Sequence, residues 1–485
     1  MSGQEQRLLI GGAWRPARAG AVHEVRNGFT GEVVTRQAAA RAGDVQDAIA
    51  AAADAFPAWS GTPARERRDL VVAAAGVLEA RSDEIARTMS EETCGTFGWG
   101  MFNVALAASM FRAAGELALE PIDSAVASEV PGLDSRAVRS PLGVCVGIAP
   151  WNAPVILGAR AVVWALALGN TVVLKASEQS PRVHAAIAEA LVQAGVPAGA
   201  IGLITNDPSD AAEVVGALVS DPRTAHINFT GSTRVGRLIA AQAAPLLKRT
   251  LLELGGKAPL VVLDDAELEA AVAAASFGAF MNSGQICMST ERIVVDRSVH
   301  DAFVTRLAER ADALTTGSPH APETMVGPDV SEAAGVHLVQ LLDDARAHGA
   351  TIRAGGTHEG TLHRPTVVDG VTPQMRIYAE ESFGPVVAVV TAQDADDAVR
   401  LANDTDYGLS AAVFGADTER ALAVAGRIES GICHVNGATV HDEAGAPFGG
   451  VKASGWGRFG SGEVAHEFTT TRWVTVSRGD RHYPI

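Results

Sequence analysis

The chain has 485 residues, a length that accommodates about two or three domains, each with its own apolar core. Its 39 basic and 56 acidic side chains give a net charge of -17, which disfavours nucleic acid and anionic membrane surfaces as partners. The four cysteines lie far apart without a CxxC pair. The sequence therefore predicts neither a disulfide framework nor a metal site, and any cysteine chemistry belongs to a single thiol.

The N-terminal segment lacks a basic stretch followed by an apolar core, so it does not resemble a secretory leader. No apolar run reaches the roughly 18 residues that a membrane span needs, because Arg160 interrupts the longest one. These features predict a soluble cytoplasmic protein.

Short apolar runs alternate with helical patterns in the first half of the chain. The predicted elements are a strand in 143–151, a helix in 153–169 closed by Gly169, a strand at 171–175, a helix at 180–195 capped by Ser180, a strand at 201–205, a helix at 209–220, a strand at 225–231 and a helix from about Arg234 to Leu247. This βαβ rhythm predicts parallel strands joined by crossover helices.

A second α/β series follows residue 263. It contains a predicted helix from Glu267 to Phe280 and a predicted strand at 291–296. The segments 468–476 and 135–140 also read as strands, and the first alternates β-branched and polar residues. Because such a terminal edge strand often pairs with another subunit, we expect these segments to serve oligomerisation.

Cys287 follows a Gly-Gln-Ile step where the helical pattern stops, and a predicted strand comes next. The cysteine is thus expected in a loop between two rigid elements, where nucleophiles are often presented. The alternative is a buried cysteine that acts as a small apolar side chain, since free cysteine is among the most buried residue types.

Glu253 is a lone carboxylate in an apolar run just before two glycines. Burial would raise its pKa toward the range of a general base, unless it pairs with Lys248, Arg249 or Lys257. A cysteine and a desolvated glutamate together suggest covalent catalysis followed by hydrolysis.

Three further positions lie near predicted strand ends, where open α/β sheets bind ligands. Asn152 could donate to an oxyanion or simply form a turn beside proline. Lys175 and Glu178 could contact a ribose or form a surface ion pair. Gly231 begins a helix that could receive a pyrophosphate, although no GxGxxG fingerprint is present.

Six motifs occur in order along the chain: PWN at 150–152, FTGST at 229–233, LELGGKAP around Glu253, FMNSGQIC ending at Cys287, EESFGP at 380–385 and PFGGVKASGWGR at 447–458. In order and spacing they resemble the motifs of the NAD(P)-dependent aldehyde dehydrogenase superfamily. The resemblance implies an α/β fold with two doubly wound parallel-sheet domains, one for the cofactor and one for catalysis, plus a small bridging sheet.

The resemblance also implies roles for the matching positions. Cys287 would attack the aldehyde to give a hemithioacetal and then a thioester, Glu253 would activate the hydrolytic water, and the Asn152 side chain with the Cys287 backbone N–H would form the oxyanion hole. The resemblance also places Lys175 among the catalytic residues. NAD, or NADP as a second possibility, would contact Trp151, Lys175, Glu178, Gly231, Ser232, Glu381 and Phe383.

The thiol needs activation, because a free cysteine has a pKa of about 8.5. Cys287 follows a helix C-terminus, whose dipole disfavours a thiolate. We therefore expect bound NAD+ and Glu253 to activate it. A glutamate at position 253 also favours hydrolysis to the free acid over transfer to coenzyme A.

Finer resemblance, including GQICMSTERIVV and the terminal RHYPI, is to the branch that acts on aromatic aldehydes: vanillin, benzaldehyde and salicylaldehyde. Ile286 and Met288 are expected to line a pocket for a flat ring, or else to pack in the core. Arg160 could reach a polar ring substituent or form a structural ion pair.

Two alternatives stay open. Arg160 would also suit the distal carboxylate of succinate semialdehyde, so an aliphatic aldehyde is the second candidate. A non-catalytic NAD-binding pseudoenzyme is the remote one, although both Cys287 and Glu253 are present.

The resemblance also implies a domain organisation. The expected limits are 1–122 and 142–253 for the NAD-binding domain, 254–450 for the catalytic domain, and 123–141 with 451–485 for the oligomerisation segment. A homodimer or homotetramer is expected.

Overall fold

The computed structural model describes residues 4–120, 123–460, 462–478, 483 and 485. Two large sheets dominate this part of the chain, and apolar side chains bury both faces of each, as expected for sheets built from βαβ units. Among the described residues, we find no helix with the combined length and apolar character of a membrane span.

The first large sheet has eight strands, and its central five are parallel. In spatial order the strands are Gly455–Trp456, Arg249–Glu253, Thr224–Thr230, Val144–Ile148, Thr171–Lys175, Ile201–Ile204, Leu8–Ile10 and Ala13–Arg15. Ile148 pairs with Lys175, and Thr230 pairs with Glu253. The carboxyl ends of four strands therefore meet at one edge of the sheet.

The second large sheet has seven strands, all parallel to their neighbours except the first. In spatial order they are Thr351–Ala354, Thr366–Asp369, Val386–Ala392, Thr290–Asp296, Ala258–Val262, Ser410–Phe414 and Ile432–Val435. Strands of this sheet begin shortly after Glu253, Cys287 and Phe383. The predicted site thus lies between the carboxyl edge of one sheet and the amino edge of the other.

Helices connect the strands and flank both sheets. The α-helices in the described residues are Ala42–Gly61, Ala64–Ala80, Ser82–Thr93, Phe97–Leu119, Pro154–Ala167, Pro181–Gln193, Ala211–Ser220, Thr233–Ala243, Leu268–Phe280, His300–Asp312, Glu332–Ala347, Arg376–Ala379, Ala395–Asn403, Thr418–Ala425 and Glu463–Phe468.

Three small sheets complete the fold of the described residues. They consist of Gln4–Gln6, Val33–Ala38 and Val22–Arg26; of His358–Glu359 and Leu362–His363; and of Thr469–Ser477, Leu133–Pro141 and Ser124–Ala125. In the last sheet the two predicted oligomerisation strands pair with each other, from Thr469 with Pro141 to Ser477 with Leu133. The strand Thr469–Ser477 forms the sheet's edge in the described chain, and pairing across subunits stays a prediction.

Two local predictions need correction. The Ser180 hydroxyl does not cap the helix Pro181–Gln193, because the Glu92 carboxylate accepts from the backbone N–H groups of Arg182 and Val183 instead. The helix expected to reach Leu247 ends at Ala243 and continues only as a 3-10 turn, since Pro245 lacks the N–H that a continuing α-helix needs.

The limits given above for the NAD-binding, catalytic and oligomerisation segments stay a prediction. Gly455–Trp456, which we assigned to the oligomerisation segment, pairs with Leu252 and Glu253 in the eight-stranded sheet.

Candidate active site

Two cavities meet at Cys287 and Asn152, which line both of them. The strand-end cavity has a volume of about 230 Å³ and is also lined by Pro150, Trp151, Thr230, Gly231, Ser232, Leu254, Gly255, Glu381 and Phe383. The apolar cavity, of about 330 Å³, is lined mainly by aromatic and aliphatic side chains. A thiol at the junction of two cavities can meet one molecule from each side.

A left-handed turn presents Cys287. Asn282, Ser283 and Gly284 have φ of 49°, 57° and 70° after the helix Leu268–Phe280 ends. The Ser283 hydroxyl donates to the carbonyl of Gly327 at 2.8 Å, which anchors this unfavourable backbone. Cys287 lies in the expected loop before the strand Thr290–Asp296. It packs against the apolar core and stays partly accessible, so it is not a fully buried cysteine.

Asn152 is fixed at the junction from two directions. Its side-chain Nδ2 donates to the carbonyl of Gln285 at 3.0 Å. Its own carbonyl accepts from Trp99 Nε1 and from Asn282 Nδ2, both at 3.0 Å. The side-chain bond joins residues 133 positions apart, so the Asn152 side chain does more than form a local turn. The oxyanion role itself stays a prediction.

Glu253 ends a strand and is buried, and neither carboxylate oxygen has a hydrogen-bond partner in the described residues. Burial raises the pKa of Glu253 well above its ordinary value, while Arg160 and Arg458 oppose the shift. Such a carboxyl is a strong proton acceptor once ionised.

The proposed ion-pair partners of Glu253 are all engaged elsewhere. Lys248 donates to the carbonyl of Val219 at 2.6 Å, Arg249 donates to that of Thr469 at 2.9 Å, and Lys257 donates to Glu291 at 2.7 Å. The reading of Glu253 as an ion-paired carboxylate is therefore wrong.

Burial raises the pKa of Cys287 to about 12, with further contributions from Glu253 and Glu381. The thiol is thus protonated at neutral pH in the protein alone. This agrees with the expectation that activation comes from another group, since the unbound site does not stabilise a thiolate.

We expect alkylation of Cys287 by iodoacetamide, without cofactor, to accelerate with each pH unit through pH 9. The reason is that only the thiolate reacts, and a raised pKa keeps its fraction small until high pH. Peptide mass spectrometry measures the rate at this one cysteine. A rate that levels off near neutral pH would contradict the raised pKa.

The strand-end cavity carries groups that suit a dinucleotide. The helix Thr233–Ala243 opens onto it, with Gly231 and Ser232 in the wall, and a helix N-terminus attracts phosphate. Phe383, at φ 48°, meets Trp151 edge-on, with ring centroids 5.8 Å apart. Glu381 accepts from Gly256 N at 2.9 Å, and burial, followed by the nearby Glu291 carboxylate, raises its pKa to about 7.

Lys175 and Glu178 form an ion pair at the end of the strand Thr171–Lys175. Glu178 also accepts from Asn206 Nδ2 at 2.9 Å. Lys175 is buried, so a solvated surface pair is the wrong description. The pair lies at the same sheet edge as the other predicted residues but is not part of the wall of the strand-end cavity.

Arg160, Ile286 and Met288 all line the apolar cavity. Ile286 and Met288 also belong to the buried core, so the pocket role and the packing role of these two side chains both stay open. Arg160 also forms an ion pair with Asp442 at 2.5 Å, and its guanidinium lies 3.9 Å from the ring centroid of Phe448. Arg160 is therefore a structural ion-pair partner that also lines the cavity, and its contact with a polar ring substituent stays a prediction.

The sequence analysis missed the aromatic wall of the apolar cavity. Trp99, Phe102, Phe277 and Phe448 contribute to it, and Trp99 stacks on Phe102 with ring centroids 5.5 Å apart. The spacing of Trp99 and Phe102, three residues apart, places both on one helix face and was the available signal.

Comparison with known proteins agrees with this geometry. A model of the aldehyde dehydrogenase family matches residues 14–474. The chain belongs to this family, and the predicted fold and the predicted NAD(P)-dependent aldehyde oxidoreductase activity are confirmed.

Individual relatives are similar over almost their full length. A vanillin dehydrogenase of Pseudomonas fluorescens is 52% identical over 478 residues, which cover 99% of both chains. A benzaldehyde dehydrogenase of Bacillus subtilis is 36% identical and covers 99% of this chain and 98% of its own. The crystal structure of a salicylaldehyde dehydrogenase from Pseudomonas putida G7, complexed with salicylaldehyde, has a TM-score of 0.98 at 42% identity, covering 99% of this chain and 100% of that one. The predicted resemblance to the aromatic branch is confirmed.

Proposed function

We propose that the protein oxidises aromatic aldehydes to carboxylic acids, with NAD+ as the preferred oxidant. The main observation in support of this proposal is the apolar cavity, because aromatic side chains and Cys287 line it together. Flat rings pack favourably against such side chains. The names of the similar vanillin, benzaldehyde and salicylaldehyde dehydrogenases support the same substrate class.

In the proposed reaction ionised Glu253 takes the proton of the Cys287 thiol, directly or through water, and passes it to solvent. The sulfur bonds to the aldehyde carbon, and the carbonyl oxygen becomes an oxyanion to which Asn152 Nδ2 would donate. The chemistry that a bound nicotinamide supplies is hydride acceptance, which leaves a thioester on Cys287. Glu253 then takes a proton from water as the water oxygen attacks the thioester. The carbon–sulfur bond breaks, the acid leaves, and the thiol regains a proton.

Residues of the strand-end cavity would hold the cofactor. Gly231 and Ser232 would receive the pyrophosphate at the helix N-terminus, while Glu381 and Phe383 would contact the nicotinamide ribose and ring. Glu178 favours NAD over NADP, because a carboxylate can bind ribose hydroxyls and repels a 2′-phosphate. The ion pair with Lys175 weakens that discrimination.

Succinate semialdehyde is the less supported substrate. Its distal carboxylate would need a cation, and Arg160 already pairs with Asp442. No feature of the described residues favours a pseudoenzyme either, since the thiol lies open to both cavities.

A substrate panel tests the proposal. We expect kcat/KM for benzaldehyde, vanillin or salicylaldehyde to exceed that for succinate semialdehyde and short aliphatic aldehydes by about tenfold or more, because ring burial adds binding free energy. NADH or NADPH appearance, followed by absorbance with each cofactor, gives the values. Turnover of succinate semialdehyde alone would overturn the aromatic assignment, and no turnover of any aldehyde would favour the pseudoenzyme.

We also propose a homodimer or homotetramer. The edge strand Thr469–Ser477 supports this, because Trp473 is 70% exposed on it and an uncovered apolar edge favours association. Light scattering distinguishes these states from a monomer. The cytoplasmic location stays a prediction.

A further inference from the structure

A buried ion pair connects the chain segment that follows Glu253 to the segment that follows Cys287. Lys257 Nζ lies 2.7 Å from Glu291 Oε2, and the two side chains are 0% and 5% exposed. Lys257 follows Glu253 by four residues, and Glu291 follows Cys287 by the same interval. The pair therefore joins the segment of the proposed base to that of the proposed nucleophile.

Glu291 also holds the loop that bears the proposed cofactor contacts. Its carboxylate accepts from the backbone N–H groups of Ser382 and Phe383, both at 3.0 Å, and from the Ser382 hydroxyl at 2.7 Å. Phe383 has a left-handed backbone, which needs such support in a residue other than glycine. Without this acceptor, the buried N–H of Ser382 and the partly buried N–H of Phe383 would lose their partner.

The same cluster fixes Glu381 and Cys287 relative to each other. Gly256, next to Lys257, donates its N–H to Glu381 Oε1 at 2.9 Å. A Cβ on Gly256 would lie 2.3 Å from the Cys287 carbonyl oxygen, so only glycine permits this close approach. Three segments thus pack around one carboxylate that lines neither cavity.

We propose that Glu291 is a positioning residue for cofactor binding, because its carboxylate sets Glu381 and Phe383 on the wall of the strand-end cavity relative to Cys287. This inference rests on the proposed use of NAD+. Glu291 acts through the 381–383 loop and touches neither substrate nor cofactor.

The test is the dissociation constant of NAD+, measured by isothermal titration calorimetry without aldehyde. Glu291→Gln keeps the side-chain size but removes one acceptor oxygen and the charge that faces Lys257. We expect the dissociation constant to rise about tenfold or more. The reason is that a shift of about 1 Å in the 381–383 loop would move Glu381 and Phe383 out of line with the nicotinamide ribose and ring. A rise below about twofold in a folded variant would overturn the proposal.

Glu92→Gln is a matched control. The Glu92 carboxylate is fully buried and accepts from two backbone N–H groups and the Thr35 hydroxyl, yet it lines neither cavity. We expect it to lower the unfolding temperature without weakening NAD+ binding. Equal weakening in both Gln variants would contradict a positioning role, because burial alone would then explain the effect.

A second variant keeps the test decisive if Glu291→Gln does not fold. The double change Lys257→Met with Glu291→Gln removes both buried charges and still deprives the loop of its carboxylate, so we expect the same weakening of NAD+ binding. Wild-type affinity in this variant would overturn the proposal. Absence of NAD+ binding by the wild-type protein would instead refute the proposed cofactor.

Discussion

Cys287→Ala is expected to abolish aldehyde-dependent NADH formation, with a loss of at least about 10,000-fold in kcat. The sulfur forms the covalent bond on which every later step depends, and no other cysteine of the described chain lines either cavity. Absorbance of NADH with benzaldehyde and saturating NAD+ measures the loss.

The affinity for NAD+ provides the control for this variant. Alanine removes one sulfur atom from a cavity wall and leaves Trp151, Glu381 and Phe383 in place, so we expect the dissociation constant of NAD+ to stay within about threefold of wild type. Oxidation of aldehyde at the parent rate by Cys287→Ala would remove the central assignment.

Glu253→Gln is expected to slow steady-state turnover by about 100- to 10,000-fold while leaving a rapid first turnover. Glutamine fills the same space but cannot accept the proton of the attacking water, so the acyl group stays on the thiol. Stopped-flow absorbance would show a burst of NADH close to one equivalent per active site, followed by a slow phase. A normal steady-state rate with full release of acid would rule out Glu253 as the sole base.

Much of the site could be predicted because its residues follow strands. Asn152, Lys175, Gly231 and Glu253 each end or follow a short apolar run, and parallel strands bring their carboxyl ends to one edge. The exceptional burial of Glu253 was also foreseeable, since its apolar neighbours on the strand left little room for water.

Contacts between distant segments were not predictable from periodicity. Arg160 is 282 residues from its partner Asp442, and the Trp99 side chain reaches the Asn152 carbonyl across 53 residues. The cap of the helix Pro181–Gln193 comes from Glu92, 90 residues earlier than Arg182. A local sequence pattern indicates that a buried polar group needs a hydrogen-bond partner. Which residue is that partner depends on how whole helices and strands pack together.

The most direct test traps the covalent intermediate. Glu253→Gln would be mixed with benzaldehyde and NAD+, quenched in acid after the burst, digested and analysed by mass spectrometry. We predict one benzoyl group on the peptide that contains Cys287, and none when NAD+ is omitted. Acylation of Cys94, Cys145 or Cys433 instead, or NADH formation with no acylated peptide, would contradict the account.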